Sequence, residues 1–207
     1  MKRAFDFSAS LLALVILSPV LILLAVAILL TMGWPVLFRQ TRPGYLGRPF
    51  TLVKFRTLNS ATDGNDMLLP DAERITRIGS FMRRSSLDEL PQLWNVLTGA
   101  MSLVGPRPLL VEYLDRYTPE QARRHEVRPG ITGWAQIHGR QDIPFSRRLE
   151  YDVWYVDNRN LRLDVRILVA TLARVLHGSG VRLDQDVREV DDLRAPKKLQ
   201  DSGTDHD

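Results

Sequence analysis

A long uncharged apolar segment near the N-terminus constrains this chain more than any other feature. No charged residue occurs from Phe7 to Phe38, and the part from Leu11 to Met32 is almost entirely Leu, Ile, Val and Ala. As an α-helix, these 22 residues at roughly 1.5 Å each would reach about 33 Å, which is enough to cross the hydrocarbon core of a bilayer. The segment therefore predicts a membrane-embedded helix.

Three membrane arrangements compete for this segment: a signal peptide, a spanning anchor, and a hairpin that enters and leaves on one face. Lys2, Arg3 and an Ala25-Val26-Ala27 triplet resemble a signal peptide, but the apolar run continues past the supposed cleavage site. Basic residues follow the run from Arg39 onward as well as preceding it. The positive-inside tendency therefore pulls both ends toward the cytoplasm, which argues against a simple spanning helix.

Ser18-Pro19 lies inside the apolar run and can break it. Proline removes a helix hydrogen bond, and a nearby serine hydroxyl can satisfy the freed carbonyl. A helix broken there would dip into one leaflet and return, whereas a mere kink would leave a spanning helix. The residues alone leave both arrangements open.

The rest of the chain divides into a basic globular part and a charged tail. Residues 182–207 hold five Lys or Arg against eight Asp or Glu, so the preceding part carries 23 against 16. This surplus of seven positive charges favours an anionic partner such as lipid, nucleotide phosphate or nucleic acid, and the apolar segment favours lipid among them. The tail has the composition of a disordered segment.

Short patterns predict the elements of the globular part. Two strand-like runs, Val36–Arg39 and Phe50–Phe55, are separated by a turn-rich stretch and predict a β-hairpin directly behind the membrane segment. A capping box begins a helix at Thr118, a turn is expected at residues 128–133, and the final helix is expected from about Leu163 to His177. Amphipathic helices near residues 109–117 and near the C-terminus could lie on lipid headgroups or pack on the core. The predicted fold class is α+β and mostly helical.

The stretch from Arg83 to Pro108 places cations beside two adjacent carboxylates. Asp88 and Glu89 lie just after Arg83, and an ionised aspartate held next to fixed cations can act as a nucleophile or a metal ligand. This combination of charges is typical of phosphate chemistry.

The same residues also have a purely structural interpretation. Ser86 followed three residues later by Glu89 forms a capping box, which would need no chemistry at all. Pro91 favours a helix that begins near Leu90, so that both carboxylates lie on the approach to the helix. There the free N–H groups and the helix dipole would favour the ionised form of Asp88.

The remaining composition excludes several kinds of site. The chain has no cysteine, and its four histidines show no metal-ligand spacing. No Walker loop, dinucleotide-binding fingerprint or Gly-x-Ser-x-Gly motif occurs. A site for a hard cation built from carboxylates and phosphates remains possible, and Mg²⁺ is its natural occupant.

Several motifs occur in order along the chain. They are Ser18-Pro19, Lys54-Phe55-Arg56, Ser85-Ser86-Leu87-Asp88-Glu89-Leu90-Pro91-Gln92, Gly105-Pro106-Arg107-Pro108, Arg128-Pro129-Gly130-Ile131-Thr132-Gly133-Trp134 and Tyr151-Asp152-Val153-Trp154-Tyr155. With these motifs the chain resembles the monotopic phosphoglycosyl transferase family of bacterial sugar transferases, in its small single-domain form. The resemblance covers nearly everything from Lys2 to Val181.

The resemblance implies transfer of a phospho-sugar from a UDP-sugar to a polyprenol phosphate, such as undecaprenyl phosphate, with release of UMP. It also implies a covalent aspartyl-phosphosugar intermediate, with Asp88 as the nucleophile and Glu89 as the magnesium ligand or proton-handling partner. Asp88 and Glu89 together would form the metal site. Charge neutralisation has to dominate such catalysis. The candidate phosphate clamps are Lys54, Arg56, Arg83, Arg107 and Arg140.

The resemblance further implies a re-entrant membrane helix over residues 1–34, broken at Ser18-Pro19, and a compact cytoplasmic catalytic domain over residues 35–181. Such a protein would be monotopic, on the cytoplasmic face of the bacterial inner membrane, and could meet other glycan-assembly enzymes there. The identity of the sugar is not encoded in any motif. A membrane-anchored basic module that binds lipid or a partner without turnover is the alternative, and a single-displacement transfer that uses both carboxylates as metal ligands is a third possibility.

Overall fold

The computed structural model describes residues 1–63, 67–139 and 143–176, which form an α+β, mostly helical architecture. The predicted fold class is confirmed. The helices are α1 (Lys2–Met32), α2 (Asp71–Arg74), α3 (Arg77–Ser85), α4 (Gln92–Thr98), α5 (Pro119–Ala122), α6 (Trp134–Ile137), α7 (Phe145–Asn158) and α8 (Leu161–Leu176). The strands are β1 (Leu37–Pro43), β2 (Pro49–Phe55), β3 (Ser102–Val104) and β4 (Gly130–Thr132). Short 3₁₀ turns occupy Tyr45–Gly47, Leu87–Glu89, Val111–Arg116 and Arg123–Glu126.

Helix α1 continues through Ser18-Pro19, so both residues lie within one helix. Pro19 cannot donate a backbone hydrogen bond to the carbonyl of Val15, four residues earlier. The Ser18 hydroxyl donates to that carbonyl instead, at 2.8 Å. The serine therefore satisfies the acceptor that the proline leaves free, as the sequence predicted, and the chain stays helical on both sides.

Both ends of α1 pack against the globular part. Near the start, Asp6 is buried and accepts hydrogen bonds from the Ser102 hydroxyl at 2.8 Å and from the Leu103 N–H at 3.2 Å. Toward the end, Leu24 and Ile28 are buried in a cluster with Phe55 and Met82.

A second polar contact holds the N-terminus of α1. Lys2 Nζ lies 2.6 Å from Asp164 Oδ2, and the Tyr155 hydroxyl donates to Asp164 Oδ1 at 2.7 Å. Asp164 and Tyr155 are both 1% exposed, so the lysine completes a buried network that links α1 to α7 and α8.

The middle of α1, in contrast, presents bare apolar side chains. This helix is long and apolar enough to cross a membrane, by length and composition. Large exposed apolar groups of this kind belong in lipid rather than water, so the protein is membrane-associated. The side chains that are 60–68% exposed are Leu12, Val15, Ile16, Ile22 and Leu23.

Strands β1 and β2 form the predicted hairpin, directly after α1. They pair antiparallel, with Phe38 opposite Lys54 and Arg42 opposite Phe50. Because facing residues of an antiparallel pair share one side of the sheet, Lys54 and Arg42 project from the same face. Leu52, which lies on that face between them, is buried.

One sheet was missed by the local patterns. Residues 128–133 were predicted to form a turn, but Gly130–Thr132 is strand β4, which pairs in parallel with β3 (Ser102–Val104). The prediction was wrong because strand pairing over such a separation depends on contacts that no local pattern reports. Behind this sheet, Val104 packs in a buried cluster with Tyr155 of α7 and Ile167 of α8.

Other elements predicted from local sequence patterns can be compared with the structure. The capping box at Thr118 is confirmed, since its side chain accepts from the Gln121 N–H at 3.2 Å. The stretch near residues 109–117 is a 3₁₀ turn that packs on the core through Tyr113 and Phe145, rather than an amphipathic helix. The final helix is confirmed, with slightly different bounds. The predicted tail, residues 182–207, lies outside the described residues.

Candidate active site

Asp88 and Glu89 lie in the 3₁₀ turn that joins α3 to α4. The predicted helix start is nearly right, because α4 begins at Gln92 directly after Pro91. The capping box does not form. Ser86 has a φ of 57° and ends α3, and its side chain makes no capping hydrogen bond. The carboxylates are therefore left available for other contacts.

Glu89 binds two cations that come from distant parts of the chain. Lys54 Nζ lies 2.8 Å from Glu89 Oε1. Arg107 approaches as a fork, with Nη2 at 2.6 Å from Oε1 and Nη1 at 3.3 Å from Oε2. Burial alone would raise the pKa of Glu89, but Arg107 and Lys54 overcome it and hold that pKa far below its usual range. Glu89 is therefore a permanent anion between two cations.

Asp88 has the opposite electrostatic character. It is 8% exposed, and the described residues place no hydrogen-bond donor on its carboxylate. Burial and the neighbouring Glu89 raise its pKa to about 6, while Lys54, Arg107 and Arg83 oppose that rise. The expectation that a helix cap would favour ionisation of Asp88 was wrong, because desolvation in this turn outweighs the surrounding positive charges. At neutral pH Asp88 is a carboxylate more basic than a free aspartate, which favours nucleophilic attack.

Two long-range contacts position Lys54. Asn95 of α4 is buried, and its side-chain amide pairs with the edge of β2. Its Oδ1 accepts from the Val53 N–H at 3.1 Å, and its Nδ2 donates to the Thr51 carbonyl at 2.8 Å. These two hydrogen bonds fix strand β2 against α4. Because Lys54 lies in β2 and Glu89 just before α4, they also help to fix the distance between Lys54 and Glu89.

The backbone of Arg107 is anchored by strand β4 and by its neighbouring prolines. Gly130 donates its N–H to the Pro106 carbonyl at 2.9 Å. The two chains come so close here that a Cβ on Gly130 would lie 2.1 Å from the Gly105 nitrogen. Only glycine permits this approach, so Gly130 of β4 helps to fix the backbone next to Arg107.

A buried ion pair beneath Arg107 was missed by the sequence interpretation. Arg124 and Asp152 are 2% and 4% exposed. Arg124 donates to Asp152 Oδ2 through Nε at 3.0 Å and Nη2 at 2.7 Å, and Nη2 also donates to the Arg107 carbonyl at 2.7 Å. Asp152 belongs to the Tyr151–Tyr155 motif. This motif contributed to the family resemblance, but no role was predicted for its residues.

The other predicted phosphate clamps have different outcomes. Arg83 lies near Asp88, whose pKa it lowers, and its Nε donates to the Thr57 hydroxyl at 3.0 Å. Arg56 is used elsewhere: it donates to the carbonyls of Leu58 at 3.0 Å and Trp34 at 3.2 Å, where the chain leaves α1. The structure does not bring Arg56 to the carboxylates. Arg140 lies outside the described residues.

The fit to Mg²⁺ can be judged from the donor atoms. The described residues contain no group of three or more acidic or histidine side chains that could hold a metal by themselves. Mg²⁺ commonly uses one or two carboxylates and completes its shell with water and substrate phosphates. Asp88 and Glu89 supply two adjacent carboxylates, although Lys54 and Arg107 already occupy oxygens of Glu89. The donor set thus suits a shared protein and phosphate site.

The arrangement as a whole is suited to attack on phosphorus beside a membrane. A basic carboxylate is surrounded by cations that can neutralise phosphate oxygens. Leu87, next to Asp88, packs against the cluster that contains Leu24 and Ile28 of α1. Asp88 therefore directly follows a residue that contacts the membrane helix.

Comparison with known proteins agrees with this chemistry. The family described as "Bacterial sugar transferase" matches residues 1–178. The sugar transferase EpsL of Bacillus subtilis is 51% identical over 88% of this chain and 90% of its own length. The UDP-glucose:undecaprenyl-phosphate glucose-1-phosphate transferase of Xanthomonas campestris pv. campestris is 43% identical over 84% of this chain, which spans 38% of that protein.

A third relative is named for a different sugar donor. It is the UDP-N-acetylgalactosamine-undecaprenyl-phosphate N-acetylgalactosaminephosphotransferase of Aeromonas hydrophila, 42% identical over 87% of this chain, which spans 45% of that protein. The similarity thus covers EpsL almost completely and less than half of the Xanthomonas and Aeromonas relatives. Since the match extends over most of the chain, this protein belongs to the bacterial sugar transferase family.

Proposed function

We propose that this protein transfers a phospho-sugar from a UDP-sugar to a polyprenol phosphate, with undecaprenyl phosphate as the acceptor. The observation that carries the proposal is Asp88, a buried carboxylate of raised pKa among Lys54, Arg83 and Arg107, next to Leu87, which packs against the membrane helix. Relatives named for undecaprenyl-phosphate sugar-phosphate transfer support the same reaction. The product would be polyprenol diphosphate sugar, the first membrane-bound species of glycan assembly.

The proposed reaction has two displacements. A carboxylate oxygen of Asp88 attacks the sugar-bearing phosphorus, and the bond to the bridging oxygen breaks, so that UMP leaves with the electron pair. A phosphate oxygen of the polyprenol phosphate then attacks the same phosphorus. The bond to Asp88 breaks, the carboxylate is regenerated, and the diphosphate product is released.

The cations have distinct tasks in this scheme. Arg107 and Lys54 neutralise Glu89 in the free protein and lie where phosphate oxygens must approach Asp88. Mg²⁺ held by Asp88, Glu89 and substrate phosphates is part of the proposal, and it would supply further neutralisation of phosphate charge. Glu89 orients the two cations and, being a permanent anion, would act as ligand rather than as proton donor.

We place the protein on the cytoplasmic face of the inner membrane, with α1 entering and leaving on that face. The support is that Lys2 and Asp6 at one end, and Ile28 at the other, contact the same globular part, while the exposed apolar residues lie between them. Cysteines introduced before Lys2 and after Arg39 should both react only with a reagent applied to the cytoplasmic side. Labelling of the N-terminus from the periplasm would overturn this topology.

Release of UMP tests the reaction itself. Purified protein in detergent should release UMP from a UDP-sugar, and Asp88→Asn should abolish the release. Asp115→Asn, which changes an exposed aspartate, serves as the matched control and should remain active. A panel of UDP-sugars with glucose, galactose and N-acetylated donors would identify the substrate.

The covalent step has its own test. Incubation with a UDP-sugar that carries a radiolabelled sugar, in the absence of polyprenol phosphate, should leave label on the wild-type chain and none on Asp88→Asn. UMP release that requires polyprenol phosphate, without labelled protein, would instead indicate a single displacement. Salt-sensitive lipid binding with no turnover of any donor would indicate a membrane-anchored binding module.

A further inference from the structure

Arg42 of strand β1 is a cation that the proposed reaction has not yet used. It lies on the face of the hairpin that carries Lys54 to Glu89, at the opposite end of the strand pair. Among the described residues, no carboxylate lies within 4 Å of its guanidinium group. Its side-chain hydrogen-bond partner among the described residues is neutral: Nη2 donates to Gln40 Oε1 at 2.6 Å.

The guanidinium of Arg42 also contains an unsatisfied buried donor. Its Nε is shielded from solvent, and no described residue offers it a hydrogen-bond acceptor. Such a group is unfavourable unless an acceptor arrives, and an arginine without a carboxylate partner is unfavourable for the same reason. A bound anion would satisfy both requirements at once.

Arg107 makes the local excess of positive charge larger. Burial and the nearby Arg107 lower the pKa of Arg42 to about 10, although Glu112, Tyr113 and Tyr117 partly oppose this, so the group remains a cation at neutral pH. Arg107 is already paired with Glu89, whereas Arg42 is not paired with any described acid. Of these two neighbouring arginines only Arg107 has a carboxylate partner, so a phosphate could bind both and supply the missing negative charge.

The position of Arg42 along the hairpin indicates which phosphate this would be. Lys54 faces Phe38 at the end of the hairpin close to α1, and Arg42 is four residues further along β1. At about 3.4 Å per residue the two positions are roughly 14 Å apart along the strand. Lys54 contacts Glu89 beside Asp88, where the sugar-bearing phosphate must lie, so Arg42 is left for the neighbouring phosphate of the donor.

On the basis of the proposed function, we propose that Arg42 binds the nucleotide-side phosphate of the nucleoside diphosphate sugar, beside Arg107, while the sugar-bearing phosphate lies at Asp88. Arg42 would remain bound to UMP after the first displacement. The site thus holds the diphosphate between Lys54 at one end of the hairpin and Arg42 toward the other.

UMP is the probe that tests this assignment, because it contains the proposed ligand group without the sugar. Arg42→Gln should weaken UMP binding to the full-length protein by about ten- to a hundredfold, as expected for loss of a charge-assisted hydrogen bond. The KM for the UDP-sugar should rise by a similar factor, and the KM for undecaprenyl phosphate should not change. Arg39→Gln is the matched control, since Arg39 lies on the same strand, is exposed and faces the other way.

Thermal stability separates binding from a structural role. UMP should raise the Tm of the wild type and of Arg39→Gln but not that of Arg42→Gln, while the nucleotide-free Tm of Arg42→Gln should not fall. Arg42→Lys provides a second variant that keeps the charge and loses the fork, and should bind UMP with intermediate affinity.

Unchanged UMP binding in Arg42→Gln, or a loss of Tm without nucleotide in both Arg42 variants, would overturn the assignment. A rise confined to the KM for undecaprenyl phosphate would show that the phosphate belongs to the acceptor instead. These outcomes concern the role of Arg42 alone and leave the proposed function intact. Failure of the wild type to release UMP from any UDP-sugar would refute the proposed function itself.

Discussion

Replacing Asp88 with asparagine should abolish transfer and at the same time make the protein more stable. Asp88 is buried, and its pKa is about 6 against an ordinary value of 3.8. A carboxyl group whose pKa is higher in the folded protein than in the unfolded chain destabilises the fold wherever it is ionised. Asparagine has nearly the same shape without the charge, so it removes this destabilisation.

The size of the effect follows from the difference in pKa. A rise from 3.8 to about 6 corresponds to about 3 kcal/mol in the free energy of unfolding, at roughly 1.4 kcal/mol per pKa unit. The full effect is present above pH 6, about half of it remains at pH 5, and it disappears below the unfolded-state value near pH 4. For a chain of this length, about 3 kcal/mol corresponds to a rise in Tm of roughly 6–12 °C at neutral pH.

Thermal unfolding of the purified full-length protein in detergent, at pH 7.5 and again near pH 4, measures this difference. Glu89→Gln is the matched variant and should shift stability in the opposite direction. Its pKa is held low by Arg107 and Lys54, and removing its charge leaves two partly buried cations without their anion, a loss of about 3–5 kcal/mol. An Asp88→Asn protein that is no more stable than wild type at pH 7.5, or whose advantage does not shrink at low pH, would refute the reasoning.

Three further outcomes are expected. The first displacement, measured as single-turnover UMP release, should lose activity as the pH falls through about 6, where Asp88 becomes protonated. In Lys54→Met the residual activity should be lost at a higher pH, because Lys54 lowers the pKa of Asp88. A pH profile that does not shift in Lys54→Met would contradict this. Asp152→Asn leaves the buried Arg124 without its anion, so the free energy of unfolding should fall by about 3–5 kcal/mol, as urea titration would show, and kcat should fall as well. Gly130→Ala should cut kcat by about a hundredfold because its Cβ would lie 2.1 Å from a backbone nitrogen behind the Arg107 segment, and normal turnover would show that this close approach is unimportant.

Local patterns predicted the elements whose signals are contained in a few neighbouring residues. The hairpin after α1 was predicted from alternating strand residues and turn residues, and the capping box at Thr118 from its own four-residue pattern. The role of the Ser18 hydroxyl at Pro19 was also predictable, because donor and acceptor lie within one helical turn. Each of these features depends on short-range geometry.

Long-range contacts decided the features that the sequence missed. The parallel pairing of β3 with β4 joins residues about 28 positions apart, and residues 128–133 carry only turn signals. Arg56 and Arg42 are similar in sequence context, both being arginines of the hairpin region. One is bound to carbonyls near the end of α1 and the other faces Arg107, a distinction that depends on which surface each strand face meets.

The sequence by itself determined that this chain carries a membrane-embedded segment and an adjacent Asp88-Glu89 pair among cations, because charge and hydropathy are properties of the residues themselves. The tertiary structure alone decided that the two carboxylates behave oppositely. Glu89 receives Lys54 and Arg107 as partners and stays ionised, whereas Asp88 is desolvated, receives no hydrogen bond from the described residues and becomes more basic. Desolvation and ion pairing depend on distances of a few ångström between groups far apart in the chain, and folding sets those distances.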